Sequence, residues 1–235
     1  MLFISPPFGN YINLPGTTSI KGSFTAEKRD GLLLQVIKTL RYSIFYEGWI
    51  NKIGLRNPGI KSIKDFSQDN IYSIAIMSED DIDIFNNTIP KKANIEINIS
   101  CPNVSNKLMY KNINKFINSE RKWCCVKLSP STDSQQIDEL YNMGFRKFHL
   151  CNTLHSEKGG ISGKILRPHV VKHLEYIKNT YKDCEVITGG GITNINDIIY
   201  YKDKGADHFS ISTVIFNPFM FGMLYFDYLD YSNKL

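Results

Sequence analysis

The chain of 235 residues is longer than the roughly 150 typical of one domain, yet it fits the roughly 200 to 250 that a single α/β barrel uses. A content of 42% hydrophobic and 22% charged residues excludes a disordered chain, a collagen-like fibre and a coiled coil. The net charge of +5, from 28 basic and 23 acidic residues scattered along the chain, leaves no nucleic-acid footprint but suits a small anionic ligand.

The N-terminal Met1-Leu2-Phe3-Ile4-Ser5-Pro6-Pro7 has no basic region and a proline pair after a short apolar run, so neither a signal peptide nor a membrane anchor is expected. β-rich runs at 2–5 and 18–21 come first. About a dozen residues rich in Pro, Gly and Asn join them, too few for a crossover helix. Segment 28–60 is ambiguous, with 32–45 helical in pattern but β-rich in composition. Further strands are predicted at 72–77, 95–99, 124–128, 147–151, 185–188 and 208–211, alternating with helical patterns. Those patterns are Ile113, Phe116 and Ile117; Ile137, Leu140 and Tyr141; Val170, Val171, Leu174 and Ile177; and Ile195, Ile198 and Ile199. Boundary chemistry agrees: Ser78 precedes Glu79, Asp80 and Asp81, Asn194 and Gly205 bracket one helix, and Asn217-Pro218 opens the last. Stretch 209–226 carries no charge, but Ser210, Ser212, Thr213, Asn217 and Pro218 interrupt it, so a strand, a turn and a helix fit better than a membrane span. The Phe, Met and Tyr cluster at 216–228 is read as the core face of that helix, or else as a subunit contact. Eight strands alternating with helices predict a reduced (β/α)8 TIM barrel, an α/β fold without its first crossover helix, as one domain over 1–235.

In such a barrel the chemistry sits at the C-terminal ends of the strands. Glu96 and Asn98 share one strand face, Cys125 and Lys127 share a face of the next, and strand six runs into Asn152-Thr153. Asn98, Lys127 and Asn152 are therefore expected at matching heights. Lys127 either snorkels out at its strand end or pairs with an anion, for which Glu96 is the candidate. Cys101 is either an inert small hydrophobe or, lying between a strand and Pro102-Asn103, part of an active-site loop. Gly159-Gly160-Ile161-Ser162-Gly163 and Gly189-Gly190-Gly191 follow strands six and seven, where barrels build phosphate sites from backbone N–H groups, and Ser212-Thr213 would complete one. No G-x-G-x-x-G opens a helix, so these glycines make no dinucleotide fingerprint. His169 and His173 stand at i, i+4 without a third ligand, so a solvated helix face is expected and no metal. The five cysteines are odd in number and form no C-x-x-C pair, which points to a reducing, cytoplasmic setting.

In order, Ile97-Asn98-Ile99-Ser100-Cys101-Pro102-Asn103-Val104, Val126-Lys127-Leu128-Ser129-Pro130, Asn152-Thr153, the Gly159 to Gly163 run and Thr188-Gly189-Gly190-Gly191-Ile192 closely resemble the dihydroorotate dehydrogenase family of FMN-dependent barrels. Ile20-Lys21-Gly22-Ser23, Glu27-Lys28-Arg29-Asp30-Gly31 and Ile50-Asn51-Lys52-Ile53-Gly54-Leu55-Arg56-Asn57 are similar to its early lysine loop and its N-x-x-G-L-x-N substrate loop. The resemblance implies a flavoprotein oxidoreductase of pyrimidine biosynthesis that oxidises dihydroorotate to orotate, with Cys101 as base and hydride transfer to FMN. It further implies that Asn51, Asn98, Asn103 and Asn152 hydrogen-bond the pyrimidine and that Thr153 stands where the family has serine or threonine. The backbone of Ile53, Gly54 and Leu55 would receive the substrate carboxylate. Lys21, Gly22, Asn98 and Lys127 would contact the flavin, with Lys127 also stabilising charge on the reduced ring. Ser162, Gly163, Gly190, Gly191, Ser212 and Thr213 would surround the ribityl phosphate. Cysteine at the base position resembles the soluble class 1 group. Fumarate is then the preferred soluble acceptor, since an NAD-linked enzyme would need an iron–sulfur partner, and a homodimer stays open.

The residue types suit that chemistry on their own, because oxidising a C–C bond beside a carbonyl needs one base and one two-electron acceptor, and asparagine offers an imide both a donor and an acceptor. The chain also departs from the family's pattern: the first crossover helix is missing, the loop after Cys101 is trimmed, and Asn152 to Gly159 lacks a long excursion. A dihydrouridine synthase-like or altered-substrate flavin enzyme, and a degenerate flavin-binding barrel without activity, remain as other readings; the synthase would need an RNA-binding domain, for which residues after 217 leave no room.

Overall fold

The computed structural model describes residues 1–99 and 112–234. In chain order its strands and α-helices are β1 (Leu2–Ile4), β2 (Thr17–Phe24), α1 (Leu32–Thr39), β3 (Arg41–Ser43), β4 (Gly48–Asn51), β5 (Ile71–Ala75), α2 (Glu79–Thr88), β6 (Asn94–Asn98), β7 (Cys124–Lys127), α3 (Ser134–Asn142), β8 (Lys147–Leu150), β9 (Leu154–Ser156), β10 (Gly159–Gly163), α4 (Arg167–Thr180), β11 (Glu185–Gly189), α5 (Ile195–Asp203), β12 (His208–Ile211) and α6 (Pro218–Ser232). Strands β1, β2, β5, β6, β7, β8, β11 and β12 pair in parallel and close a barrel. They are the eight strands that the β-rich runs predict. Because the barrel interior covers one face and helices the other, β5 and β6 are buried along their whole length. One core fills the space between strands and helices, and Phe3, Ile20, Ile71, Trp123, Cys125 and Ile187 form a second, smaller one.

Helix boundaries follow the side-chain chemistry. The Asp81 carboxylate accepts from the Ser78 N–H at 3.1 Å, Asn194 accepts from the Asn196 N–H at 2.9 Å, and Asn217 accepts from the Met220 N–H at 3.2 Å. Between β1 and β2 there is only a 3-10 turn, Phe8–Asn10, so the first crossover helix is absent as expected.

The ambiguous segment resolves into α1 followed by the β3–β4 hairpin, and both lie outside the barrel. Antiparallel β3, β4, β10 and β9 form a separate four-stranded sheet. The run Gly159 to Gly163 is thus a strand rather than a loop. Its glycines allow the close pairing with β4, where a Cβ on Gly48 would stand 1.8 Å from the Ser162 carbonyl oxygen.

Three further expectations are corrected. The helical spacing at Ile113, Phe116 and Ile117 yields only a 3-10 turn, Ile113–Phe116, whose last carbonyl is taken by the Arg121 guanidinium. His173 is buried rather than solvated, donating from Nε2 to the Thr132 carbonyl at 2.8 Å. Helix α6 buries only Leu224 and Tyr228, while Phe219, Met223 and Phe226 are exposed, because its apolar residues run right round the helix and one face alone docks. Among the described residues no helix is long and apolar enough to cross a membrane.

Candidate active site

The C-terminal ends of the barrel strands open into a cavity of about 290 Å³, at the small end of the roughly 300 to 1,000 Å³ usual for ligand sites. Asn51, Ile53, Lys127, Asn152, Thr153, Ser162, Gly163, Gly190, Gly191, Ser212 and Thr213 all line it. Asn98 stands directly behind, its Oδ1 accepting from Asn152 Nδ2 at 3.2 Å. Strand register puts Asn98, Lys127 and His149 at one height, whereas Asn152 lies three residues past His149, beyond the end of β8, and reaches Asn98 through its side chain. Lys21, Gly22, Gly54 and Leu55 do not line the cavity; the Gly22 N–H is held by Asn10 Oδ1 at 2.8 Å, and Gly54 and Leu55 turn the chain after β4 with φ of 67° and 54°. Cys101 and Asn103 lie outside the described residues. A larger cleft of about 590 Å³, lined in part by Met1, Gln68, Asn94 and Trp123, holds none of the predicted site residues, and in barrels the opposite, C-terminal face carries the chemistry.

Beneath the cavity lies a buried charge cluster. Glu96 is fully buried, with Lys127 Nζ 3.8 Å from its Oε1 and His149 Nδ1 against its Oε2. Burial would push the Glu96 carboxyl up, but Lys127, His149 and the Ser73 hydroxyl outweigh it and hold it down at about 2. Burial pushes the His149 imidazole down against the pull of Glu96, so His149 is read as neutral, donating from Nδ1 to the carboxylate. The two readings of Lys127 are thereby decided in favour of pairing with Glu96, with its side chain still 11% exposed toward the cavity.

The other end of the cavity is built from backbone. Gly190 and Gly191 have φ of 87° and 77°, and a Cβ on either would come within 2.8 Å of Leu166 or Lys164 respectively. The loop is anchored through its carbonyls: the Tyr201 hydroxyl donates to Gly190 O at 2.8 Å, and the Arg167 guanidinium to Gly191 O at 3.3 Å. Ser212 Oγ donates to Pro6 O at 3.1 Å. Between the two ends runs an aromatic wall in which the Phe216 ring lies 4.9 Å from Phe8 and 4.2 Å from Trp49, centroid to centroid. A lysine at one end, an aromatic wall, and a glycine loop flanked by hydroxyls at the other form a donor set that fits a flat ring carrying an anionic tail.

Several lining residues escape sequence reasoning. Trp49, Phe8 and Phe216 come from the accessory sheet and the connecting turns, where no periodicity marks an inward face. His149 was findable, because the alternation that turns Lys127 inward applies equally to its register partner.

Residues 11–223 match the dihydroorotate dehydrogenase family. The chain is 33% identical over 254 residues to the dihydroorotate dehydrogenase B (NAD(+)) catalytic subunit of Brachyspira hyodysenteriae, covering 91% of this chain and 81% of that one. The protein of the same name from Thermotoga maritima is 25% identical over 257 residues, covering 92% and 93%. Two crystal structures of DHODH from Eimeria tenella, one ligand-free and one with ferulenol, are 17% identical to the chain. They share its fold with TM-scores of 0.70 and 0.71, covering 99% and 92% of this chain and 84% and 74% of theirs.

Proposed function

Because the chain belongs to the dihydroorotate dehydrogenase family of oxidoreductases, we propose that this cavity oxidises dihydroorotate to orotate with FMN, in cytoplasmic pyrimidine biosynthesis, using Cys101 as the base. One observation carries the reading: Lys127 and Asn152 face the same cavity as the Gly190-Gly191 loop and Ser212-Thr213. Gly163, Gly190, Gly191, Ser162, Ser212 and Thr213 would hold the ribityl phosphate, and Lys127 the ring, on which it would stabilise developing negative charge. FMN, when bound, supplies the two-electron oxidant. Asn51, Asn98, Asn103 and Asn152 present amides to the ring of the substrate, whose imide alternates donors and acceptors in the same way. Cys101 takes the proton from the ring carbon beside the carbonyl, while the hydride leaves the neighbouring ring carbon, so that a C=C bond forms between the two. The single FMN-binding barrel over 1–235 would then be one catalytic unit.

For the electron acceptor, the relatives' names favour NAD(+) and a further subunit over fumarate, since each is called the catalytic subunit of an NAD(+) enzyme. Anaerobic re-oxidation of the reduced protein by fumarate would reverse that order.

Anaerobic mixing with dihydroorotate is the test. Purified protein should be yellow and bleach on mixing, and reduction should accelerate as pH rises through the cysteine titration near about 8.5. Cys101→Ser should reduce slowly near pH 7 and Cys101→Ala more slowly still, both with orotate affinity close to wild type. A Cys101→Ala protein that bleaches at the wild-type rate overturns the assigned base. Protein that binds FMN but is not bleached at all returns the altered-substrate or degenerate reading.

A further inference from the structure

The glycine loop after β11 is held from behind, by residues of α4 and α5 that lie outside the barrel. Tyr201 on α5 is fully buried and does not line the cavity; its hydroxyl donates to Gly190 O at 2.8 Å. Arg167, at the start of α4, donates to Gly191 O at 3.3 Å and to the Asp197 carboxylate. Asp197 in turn accepts from the Thr193 N–H at 2.8 Å and the Thr193 hydroxyl at 2.9 Å, which fixes the first turn of the helix that carries Tyr201.

Peptide planarity decides where the matching N–H group goes. In a trans peptide the C=O and N–H point in opposite directions, so the Gly190 carbonyl, turned back toward Tyr201, turns the Gly191 N–H toward the cavity that Gly190, Gly191 and Ile192 line. That N–H donates to none of the described residues. The plane has no other tie: the hydrogen bond from Tyr201 is the one it makes among the described residues, and with glycine on both sides no Cβ resists a half-turn. Turned over, it would present the Gly190 oxygen to the cavity, where an anion is repelled instead of bound. Arg167 does not prevent this, because it holds the carbonyl of the following plane.

We infer that Tyr201 is a positioning residue whose hydroxyl locks the Gly190–Gly191 peptide with its N–H toward the cavity, and so makes the site select a flavin that carries a phosphate. The inference rests on the FMN reading proposed above. Its consequence is confined to one end of the ligand: without the hydroxyl the plane divides between two orientations, and only the phosphate senses the difference. The Lys127 end of the cavity, and the ring it faces, stay as they are.

Tyr201→Phe tests it, since it removes the hydroxyl and keeps the buried ring in its packing. The full-length wild-type and variant chains, freed of flavin, are titrated with FMN and with riboflavin, which has the same ring and ribityl chain but no phosphate, and binding is read from flavin fluorescence. In Tyr201→Phe the FMN affinity should fall about tenfold or more, while riboflavin affinity stays within about twofold of wild type. A merely structural role would weaken both flavins alike. Wild-type FMN affinity in Tyr201→Phe, or an equal loss for both flavins, therefore overturns the inference alone. A wild-type protein that binds riboflavin as tightly as FMN removes the phosphate from this loop and overturns the phosphate placement and this inference together.

Discussion

At the residue scale, Lys127 stands between a buried carboxylate and the cavity, and its two roles can be separated. Removing it leaves the fully buried Glu96 without its cation, a loss of about 3 to 5 kcal/mol by comparison with other broken buried pairs. It also removes the positive charge facing the cavity. Lys127→Met should therefore unfold at lower urea and reduce its flavin about 100-fold more slowly. Adding Glu96→Gln neutralises the orphaned charge, so the double variant should regain much of the stability and none of the rate. Lys127→Arg should not restore the rate, because a planar fork replaces a point charge. Urea titration and anaerobic stopped-flow on the three variants check this; a double variant that regains both properties would make the lysine structural. The pairing with Glu96 was legible in the sequence, since strand alternation puts Glu96 and Lys127 on inward faces of neighbouring strands. The Ser73 and Ser23 hydroxyls that bridge Glu96 to Asn98 were not, because they carry no spacing that distinguishes them from other small strand residues.

At the scale of elements, all eight barrel strands could be read because each is a compact β-rich run bounded by turn residues. The accessory sheet could not. Its strands are three to five residues long, β10 is glycine-rich, and its register joins residues more than a hundred positions apart, such as Trp49 and Ser162. The pairing nevertheless decides the site, for it brings Trp49, Asn51 and Ser162 to the cavity. Gly48 is its tightest point. Gly48→Ala would drive a methyl group into the Ser162 carbonyl, so β4 must part from β10. Circular dichroism should show a near-native barrel while FMN content falls; full FMN occupancy would mean that the cavity does not depend on this sheet. Gly190→Leu should also lose FMN, for a different reason: φ of 87° disfavours any side chain, and the added Cβ meets Leu166. Full FMN occupancy in that variant would remove the phosphate from this loop.

At the scale of the whole molecule, the buried histidines and Glu96 all make the fold sensitive to acid. Burial lowers the affinity of His149, His173 and His208 for a proton below the ordinary value of 6.5. Below pH 6.5 the unfolded chain takes up protons that the folded one refuses. Their stabilisation is therefore complete above pH 6.5 and is lost as pH falls through the window beneath it. Glu96 acts with the same sign in a lower window: its carboxyl binds a proton near 4.5 when unfolded and at about 2 when folded, so its contribution disappears as pH drops from 4.5 toward 2. The urea midpoint should thus decline between about pH 7.5 and about pH 5, above the window in which Glu96 loses its contribution. His173 offers the clean test because it lies away from the cavity, on α4. Its Nε2 donates to Thr132 and its buried Nδ1 has no partner among the described residues, so a second proton there would have no acceptor. His173→Gln keeps an N–H for the Thr132 carbonyl but cannot titrate. It should lower the midpoint modestly at about pH 7.5 and flatten the decline toward about pH 5. A variant whose profile runs parallel to wild type across that range would show that His173 contributes nothing to the acid sensitivity, leaving it to His149 and His208.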